Sequence, residues 1–372
     1  MKFSPAQSRP WVALFRAPRT YLPSWAADSP HHLLYGSTAS GRPELYAWHL
    51  SEGWKRQLTD RINGTTIGRI DPSGKTVWWF DDDGAELGEW RCIPFRAGST
   101  ANTSLNLPKG RSAGVALGNR LSVVGMALPS EIQIWSIDSG LTTHLIDRGD
   151  QSGHVIGMSR DDTLISVLGK VEMRQGRAFG FRIITLDGKT VDSLLSSPNE
   201  ELALGPWSPI TGDQRLLVSV RRDGNSHCAV WSPSAHRLQE FGSELPGNVE
   251  LSWYPNGTEV LVVHHFRGRS NLRCASLAGK GVRDLNTPVG SIASASVRPD
   301  GEVWFEWSDG QHAHKVMSDR GTIIRPPSKR LRAGTVYNDF SVGDIHSFVA
   351  VPRHKSPYPT VDSCSWRARF SP

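Results

Sequence analysis

Short apolar runs and polar turns alternate along most of the chain in one repeated order. Each unit reads as a turn, an apolar strand, a polar hairpin, a second apolar strand and a polar tail. The turn is the clearest marker: Asp28-Ser29-Pro30, Asp71-Pro72-Ser73-Gly74, Ser208-Pro209-Ile210-Thr211-Gly212, Tyr254-Pro255-Asn256-Gly257 and Arg298-Pro299-Asp300-Gly301. Weaker copies stand at Leu117-Gly118-Asn119 and Arg160-Asp161-Asp162. Proline fixes φ at the first corner of such a turn, and Gly or Asn accepts the positive φ that the second corner often requires.

After each turn comes a run rich in β-branched and aromatic residues, such as Thr76-Val77-Trp78-Trp79-Phe80, Leu164-Ile165-Ser166-Val167-Leu168 or Glu259-Val260-Leu261-Val262-Val263. A second run follows across a charged or Gly-containing hairpin, as in Glu44-Leu45-Tyr46-Ala47-Trp48 and Cys228-Ala229-Val230-Trp231. The copies recur every ~42 to 47 residues, the period of propeller blades, and helical periodicity is absent. The pattern predicts an all-β fold: a seven-bladed β-propeller of four-stranded antiparallel blades over residues 24–327. The blades fall at about 24–65, 66–110, 111–152, 153–203, 204–247, 248–290 and 291–327. Residues 1–23 form an N-terminal segment, 328–342 a linker and 343–372 a further short unit.

A twisted four-stranded sheet cannot bury both faces alone, and stacking blades around a ring does so. Trp78, Trp79, Trp135, Trp207, Trp231, Trp253 and Trp304 are therefore expected between the sheets.

Composition agrees with many short strands and frequent turns: the 372 residues include 36 Gly, 24 Pro and 14 Trp. No apolar run is long enough to cross a bilayer, and Trp11-Val12-Ala13-Leu14-Phe15 is broken at once by Arg16, so a cytoplasmic protein without membrane partners is expected. The net charge of +6 arises from 42 Lys and Arg against 36 Asp and Glu, interspersed, which reads as a solvated surface and not as a nucleic-acid site. One basic cluster spans 325–332 and includes Lys329 and Arg330, but Pro326 and Pro327 within it favour a linker. Cys92, Cys228, Cys274 and Cys364 are far apart and form no CxxC pair, which favours reduced thiols.

Candidate chemistry is sparse. Gly110-Arg111-Ser112-Ala113-Gly114 satisfies the G-x-S-x-G pattern, and His144 or His154 with a nearby Asp would complete a triad in outline. A nucleophile elbow needs an apolar strand before it and a helix after it, whereas Asn106-Leu107-Pro108-Lys109 precedes Ser112 and a blade strand follows. Ser112 is therefore expected in an ordinary inter-blade turn. Asp81-Asp82-Asp83 with Glu86 reads as solvated turn chemistry, and Glu200-Glu201 as an inter-blade connection. His31-His32 and His264-His265 point to opposite faces of a strand and cannot share one metal. His312 and His314 share a face but have no evident third ligand. No catalytic residue, no cofactor and no metal site is expected, and no substrate-binding residue is located.

Leu58-Thr59-Asp60-Arg61-Ile62-Asn63-Gly64-Thr65-Thr66, followed by Ile70-Asp71-Pro72-Ser73-Gly74 and Thr76-Val77-Trp78-Trp79-Phe80-Asp81-Asp82, resembles the early blades of acylaminoacyl-peptidase-like members of the prolyl oligopeptidase family. Gly343-Asp344-Ile345-His346-Ser347-Phe348-Val349-Ala350, then Pro352 and Tyr358-Pro359-Thr360-Val361, is similar to the start of that family's α/β-hydrolase domain. The resemblance implies a propeller that covers a serine-peptidase active site and limits access to short or unfolded peptides. Its partners would be peptides or a separately encoded hydrolase domain, the chain being either a gene remnant or a part that requires that hydrolase. After Val361 the sequence turns polar and basic, and no His-Gly-Gly-Pro loop or nucleophile elbow follows, so the resemblance implies a truncated chain lacking the Ser-Asp-His machinery. The rival expectations are a free-standing scaffold that binds protein or small-molecule partners and an enzyme with its site at the channel mouth.

Overall fold

The computed structural model describes residues 17–326 apart from 98–102, 150–152, 174–175, 280, 311 and 313, with the backbone alone for residues 172, 173 and 176–178. Within it, 28 strands numbered β1–β28 along the chain form seven four-stranded sheets, each an antiparallel meander of consecutive strands. The seven-bladed propeller follows. Among the described residues only the short 3-10 turn Pro233–Ala235 is helical. The first strands of the seven blades are β1 (Ser24–Trp25), β5 (Gly68–Ile70), β9 (Arg111–Leu117), β13 (His154–Met158), β17 (Glu200–Trp207), β21 (Asn248–Trp253) and β25 (Ser291–Val297). They are the innermost strands and surround the central channel.

Seven apolar clusters hold the ring together, one between each pair of neighbouring blades. Trp79 packs between blades 1 and 2, Trp78 between 2 and 3, Trp207 and Trp231 between 4 and 5, and Trp253 between 5 and 6. Trp135 departs from expectation: it is half-buried, belongs to none of these clusters, and donates its indole N–H to Gln133 Oε1 at 3.2 Å. Its neighbours Ile134 and Ile137 carry the packing instead.

Among the described residues no strand is shared between the first and last blades. Side chains close the ring: Trp304 of β26 (Val303–Ser308) meets Leu33, Tyr35, Tyr46 and Trp48 of blade 1. Its ring lies 6.1 Å from Trp25 and 6.3 Å from Trp48, and the buried Arg298 guanidinium stacks 4.5 Å above it. Arg19 adds a bidentate contact to Glu306 on the same strand.

The meander fixes what each face of the ring carries. The inter-blade connections and the hairpins between second and third strands lie on one face, here the connection face. The turns between first and second strands lie on the other, the turn face. There, where other blades use Gly, Asp162 takes φ 58°. Its carboxylate accepts the backbone N–H groups of Asn119 at 2.9 Å and Arg120 at 2.7 Å from the preceding blade.

Three local expectations change. Blade 5 begins at Glu200, not at residue 204. Ser112 lies inside β9 opposite Met126, not in a turn. Asp81 is the sixth residue of β6 (Thr76–Asp82) and is buried between Arg61 at 2.7 Å and Arg91 at 2.9 Å. Asp82 and Asp83 do serve the turn, by accepting the N–H groups of Gly84 and Ala85. Residues 1–16 and 327–372, including the linker 328–342, the unit 343–372 and Cys364, lie outside the described residues.

Candidate functional site

Innermost strands pack only part of their surface, and the rest faces water in the channel, so small and charged residues are tolerated there. A cavity of about 810 Å3 occupies this space, walled by blades 1, 2, 6 and 7. That volume is within the range of small-ligand sites. Tyr21, Trp25 and Tyr35 give it an aromatic wall, and Thr65, Thr66, Ser294 and Ser296 line it with hydroxyls. Four charged side chains reach it: Arg19, Arg69, Glu250 and Glu306.

Two of these neutralise one another. Arg19 Nε donates to Glu306 Oε1 at 2.8 Å, and His314 Nδ1 stands 3.3 Å from the same oxygen. Burial opposes ionisation of Glu306, but His314 and Arg19 outweigh it and hold the carboxyl below its ordinary range. Arg19 also lies 4.6 Å over the ring of Tyr21, which fixes the start of the described chain against blade 1.

The other two charges lack such partners. Arg69, in the middle of β5, donates only to the neighbouring Gly68 carbonyl at 2.9 Å and forms no ion pair among the described residues. It is exposed to water, yet protein encloses the guanidinium, and this desolvation lowers its pKa. Glu250 Oε1 of β21 is buried and lies 3.4 Å from His265 Nε2 without a well-formed hydrogen bond. Ser270 Oγ accepts the Ile292 N–H and lies 2.9 Å from His265 Nδ1. The hydroxyl can then donate to Nδ1, leaving the Nε2 proton directed at Glu250.

The channel is tied across at the turn face. Arg160, in the turn after β13 of blade 4, reaches the Asp28 carboxylate in the turn after β1 of blade 1, and its other nitrogen lies 3.3 Å from Asn119 Oδ1 of blade 3. Blades 1 and 4 are three steps apart in a ring of seven, so this contact spans the axis. The cavity lies toward the connection face, where Pro43, Thr65 and Thr66 border it.

The candidates singled out from sequence are scattered. Ser112 sits in a strand, with no helix after it. Gly114 beside it takes φ 92°, and a Cβ there would stand 2.1 Å from the Val155 carbonyl oxygen, so close packing of blades 3 and 4 explains that glycine. His154 is the first residue of β13, and His144 stands on the outermost strand of blade 3. Glu200 and Glu201 belong to β17 and pair with Arg222 at 2.8 Å and Arg221 at 2.9 Å. Glu86 pairs with Arg111 at 3.5 Å.

The histidines likewise have separate local partners. His32 Nδ1 is 2.8 Å from the Gly74 carbonyl oxygen, while His31 is exposed. His264 is buried, which lowers its pKa, with Nε2 at 2.6 Å from the Pro246 carbonyl oxygen. His312 pairs with Asp309 at 2.7 Å and His314 with Glu306. Among the described residues no three His, Cys, Asp or Glu side chains cluster as metal ligands. Cys92, Cys228 and Cys274 are free and buried, and burial pushes the Cys228 thiol up to about 12. No described helix is long and apolar enough to cross a membrane. Of the basic cluster, Arg325 and Pro326 are described, and Arg325 is exposed.

Sequence reasoning missed Arg19, Arg69, Glu250 and Glu306. The available signal was position: Arg69 and Glu250 stand in the few residues before a Pro-containing turn, where an innermost strand must run.

No family model and no curated protein matches the chain. Solved structures match its fold. An oligogalacturonate lyase in complex with manganese is 13% identical, with a TM-score of 0.62, over 80% of this chain and 89% of that one. The oligogalacturonate lyase of Vibrio parahaemolyticus is 12% identical, with a TM-score of 0.59, over 80% and 95%. Prolyl oligopeptidase B of Galerina marginata is 11% identical, with a TM-score of 0.60, over 84% of this chain and 52% of that one. The chain thus spans about half the length of that peptidase. These likenesses concern the propeller fold.

Proposed function

We propose that the chain is a peptide-receiving propeller that breaks no bond itself and works against a hydrolase unit, as the propellers of prolyl-oligopeptidase-like peptidases do. The observation that carries this reading is where exposed apolar side chains collect. Among the described residues, Ile62, Leu87 and Val289 lie in connections or hairpins of the connection face and Phe179 and Phe266 in the strands that border its hairpins, from 39% to 87% exposed, while Leu141 and Ile210 on the turn face and Leu145 and Ile323 on outermost strands are 37% to 42% exposed. The channel cavity lies toward the connection face. A covering partner would bury those on that face, and exposed apolar groups gathered on one face mark interaction surfaces.

Chain direction supports the same arrangement. The last described strand, β28 (Ile323–Ile324), runs toward the connection face as the fourth strand of its blade, and the bridge between Thr20 and Ser37 holds the first described residues at the connection-face end of the second strand of blade 1. A second reading, a free-standing propeller that binds a small ligand, is favoured by the near-complete coverage of the two lyases.

Thermal unfolding against a ligand panel separates the two, because a ligand that binds only the folded state raises the midpoint. Short peptides should stabilise the chain and be recovered uncleaved, while oligogalacturonides leave the midpoint unchanged. Stabilisation by oligogalacturonides alone would overturn the peptide reading.

A further inference from the structure

Resting on the peptide-receiving reading, we propose that Arg69 and Glu250 are the two poles of a binding site for a short unblocked peptide, the C-terminal carboxylate on Arg69 and the N-terminal ammonium at Glu250.

The charge balance of the cavity leads there. Arg19 and Glu306 satisfy one another, which leaves one cation and one carboxylate facing the same enclosed space. Arg69 has no counter-ion among the described residues, and its guanidinium can grip a carboxylate through two parallel N–H donors. Glu250 lines the cavity with a part-exposed side chain, and an ammonium group offers a carboxylate three donors. His265 Nε2 stands 3.4 Å from Oε1, the buried oxygen of that carboxylate.

The two groups stand on opposite sides of the channel. Arg69 is on blade 2 and Glu250 on blade 6, with blades 7 and 1 between them on the shorter way round. No ion pair joins them. A simple anion would meet Arg69 but be repelled by Glu250, and a simple cation would meet the reverse. A molecule that carries both charges, well separated, satisfies both. An extended peptide of two to four residues spans about 7–14 Å. The aromatic wall of Tyr21 and Trp25 and the hydroxyls of Thr66 and Ser294 suit its side chains and amides.

Calorimetric titration of the full chain with alanyl-phenylalanyl-alanine, free, N-acetylated or C-amidated, tests the assignment. For the wild type, each block should weaken binding about tenfold or more, the loss of one charge-assisted pair. Amidation should cost nothing further in Arg69→Ala, and acetylation nothing further in Glu250→Gln. Arg69→Lys should restore part of the carboxylate preference, which a merely structural arginine would not do. Unchanged thermal midpoints establish that the variants fold. If blocked and free peptides bind the wild type equally, the two poles are wrong and the peptide reading stands; if no form binds, both fall.

Discussion

The guanidinium of Arg160 in blade 4 holds the carboxylate of Asp28 in blade 1 across the axis of the ring. Two blades that share no sheet and no apolar cluster are thereby joined at the turn face. Asp28 is half exposed, so the pair adds little to stability. Arg160→Ala should cost about 0.5–1 kcal/mol, or about 1–3 °C in midpoint for a domain of this size. Its larger effect should be kinetic: peptide association and dissociation should quicken together once the turn-face end is open. Stopped-flow rates unchanged from wild type would show that this end does not limit access.

Closure of the ring should be sensitive to acid. The folded pKa of Glu306 lies below the ordinary value of 4.5, held there against burial by His314 and Arg19. A depressed carboxyl supplies stability that is complete above its unfolded value and is lost as pH falls through the folded one. The wild-type midpoint should therefore fall as pH drops below about 4.5, and Glu306→Gln should start lower at neutral pH and lose less on acidification. Parallel pH profiles for the two proteins would contradict this origin.

The tryptophans should differ by position. Trp207 is buried and donates to Ser166 Oγ at 3.1 Å, and Trp304 is the sole fully buried side chain that blade 7 brings to its closing cluster among the described residues. Either change to Ala should cost about 3–5 kcal/mol. Trp135→Ala, at a half-buried position outside the clusters, should cost about 1 kcal/mol or less. Denaturant unfolding of the three variants decides it, and equal losses would show that burial does not rank them.

The same distinction explains what could be seen in the sequence. Second strands are buried almost throughout and most third strands at about every other position or more, so both read as apolar runs, and the turns carry Pro and Gly, so blade number and order were legible. Innermost strands were not: Gly68-Arg69-Ile70 and Glu200-Glu201-Leu202-Ala203 mix charged and small residues because part of their surface meets channel water or ion-pairs with the next strand. Arg69 and Glu250 of the cavity belong to those strands. Ring closure, which joins Arg19 to Glu306 and Trp25 to Trp304, depends on contacts between distant segments that no local pattern encodes.

The G-x-S-x-G segment should behave as packing. Ser112→Ala should leave the midpoint within about 0.5 kcal/mol of wild type, and a fluorophosphonate probe should not label Ser112. Gly114→Ala should destabilise by more than the ~1–2 kcal/mol of the left-handed backbone alone, because its Cβ would strike the Val155 carbonyl oxygen. Labelling of Ser112 together with a tolerated Gly114→Ala would indicate a reactive elbow instead.

The most direct measurement is photolabelling of the full chain with a short unblocked peptide that carries a benzophenone side chain, followed by mapping of the adducts by mass spectrometry. Adducts should fall on the channel wall, at Tyr21, Trp25, Thr66 or Ser294, and disappear when unlabelled peptide is added in excess. Adducts confined to the outer strands, or labelling that excess peptide does not suppress, would contradict a peptide site in the channel.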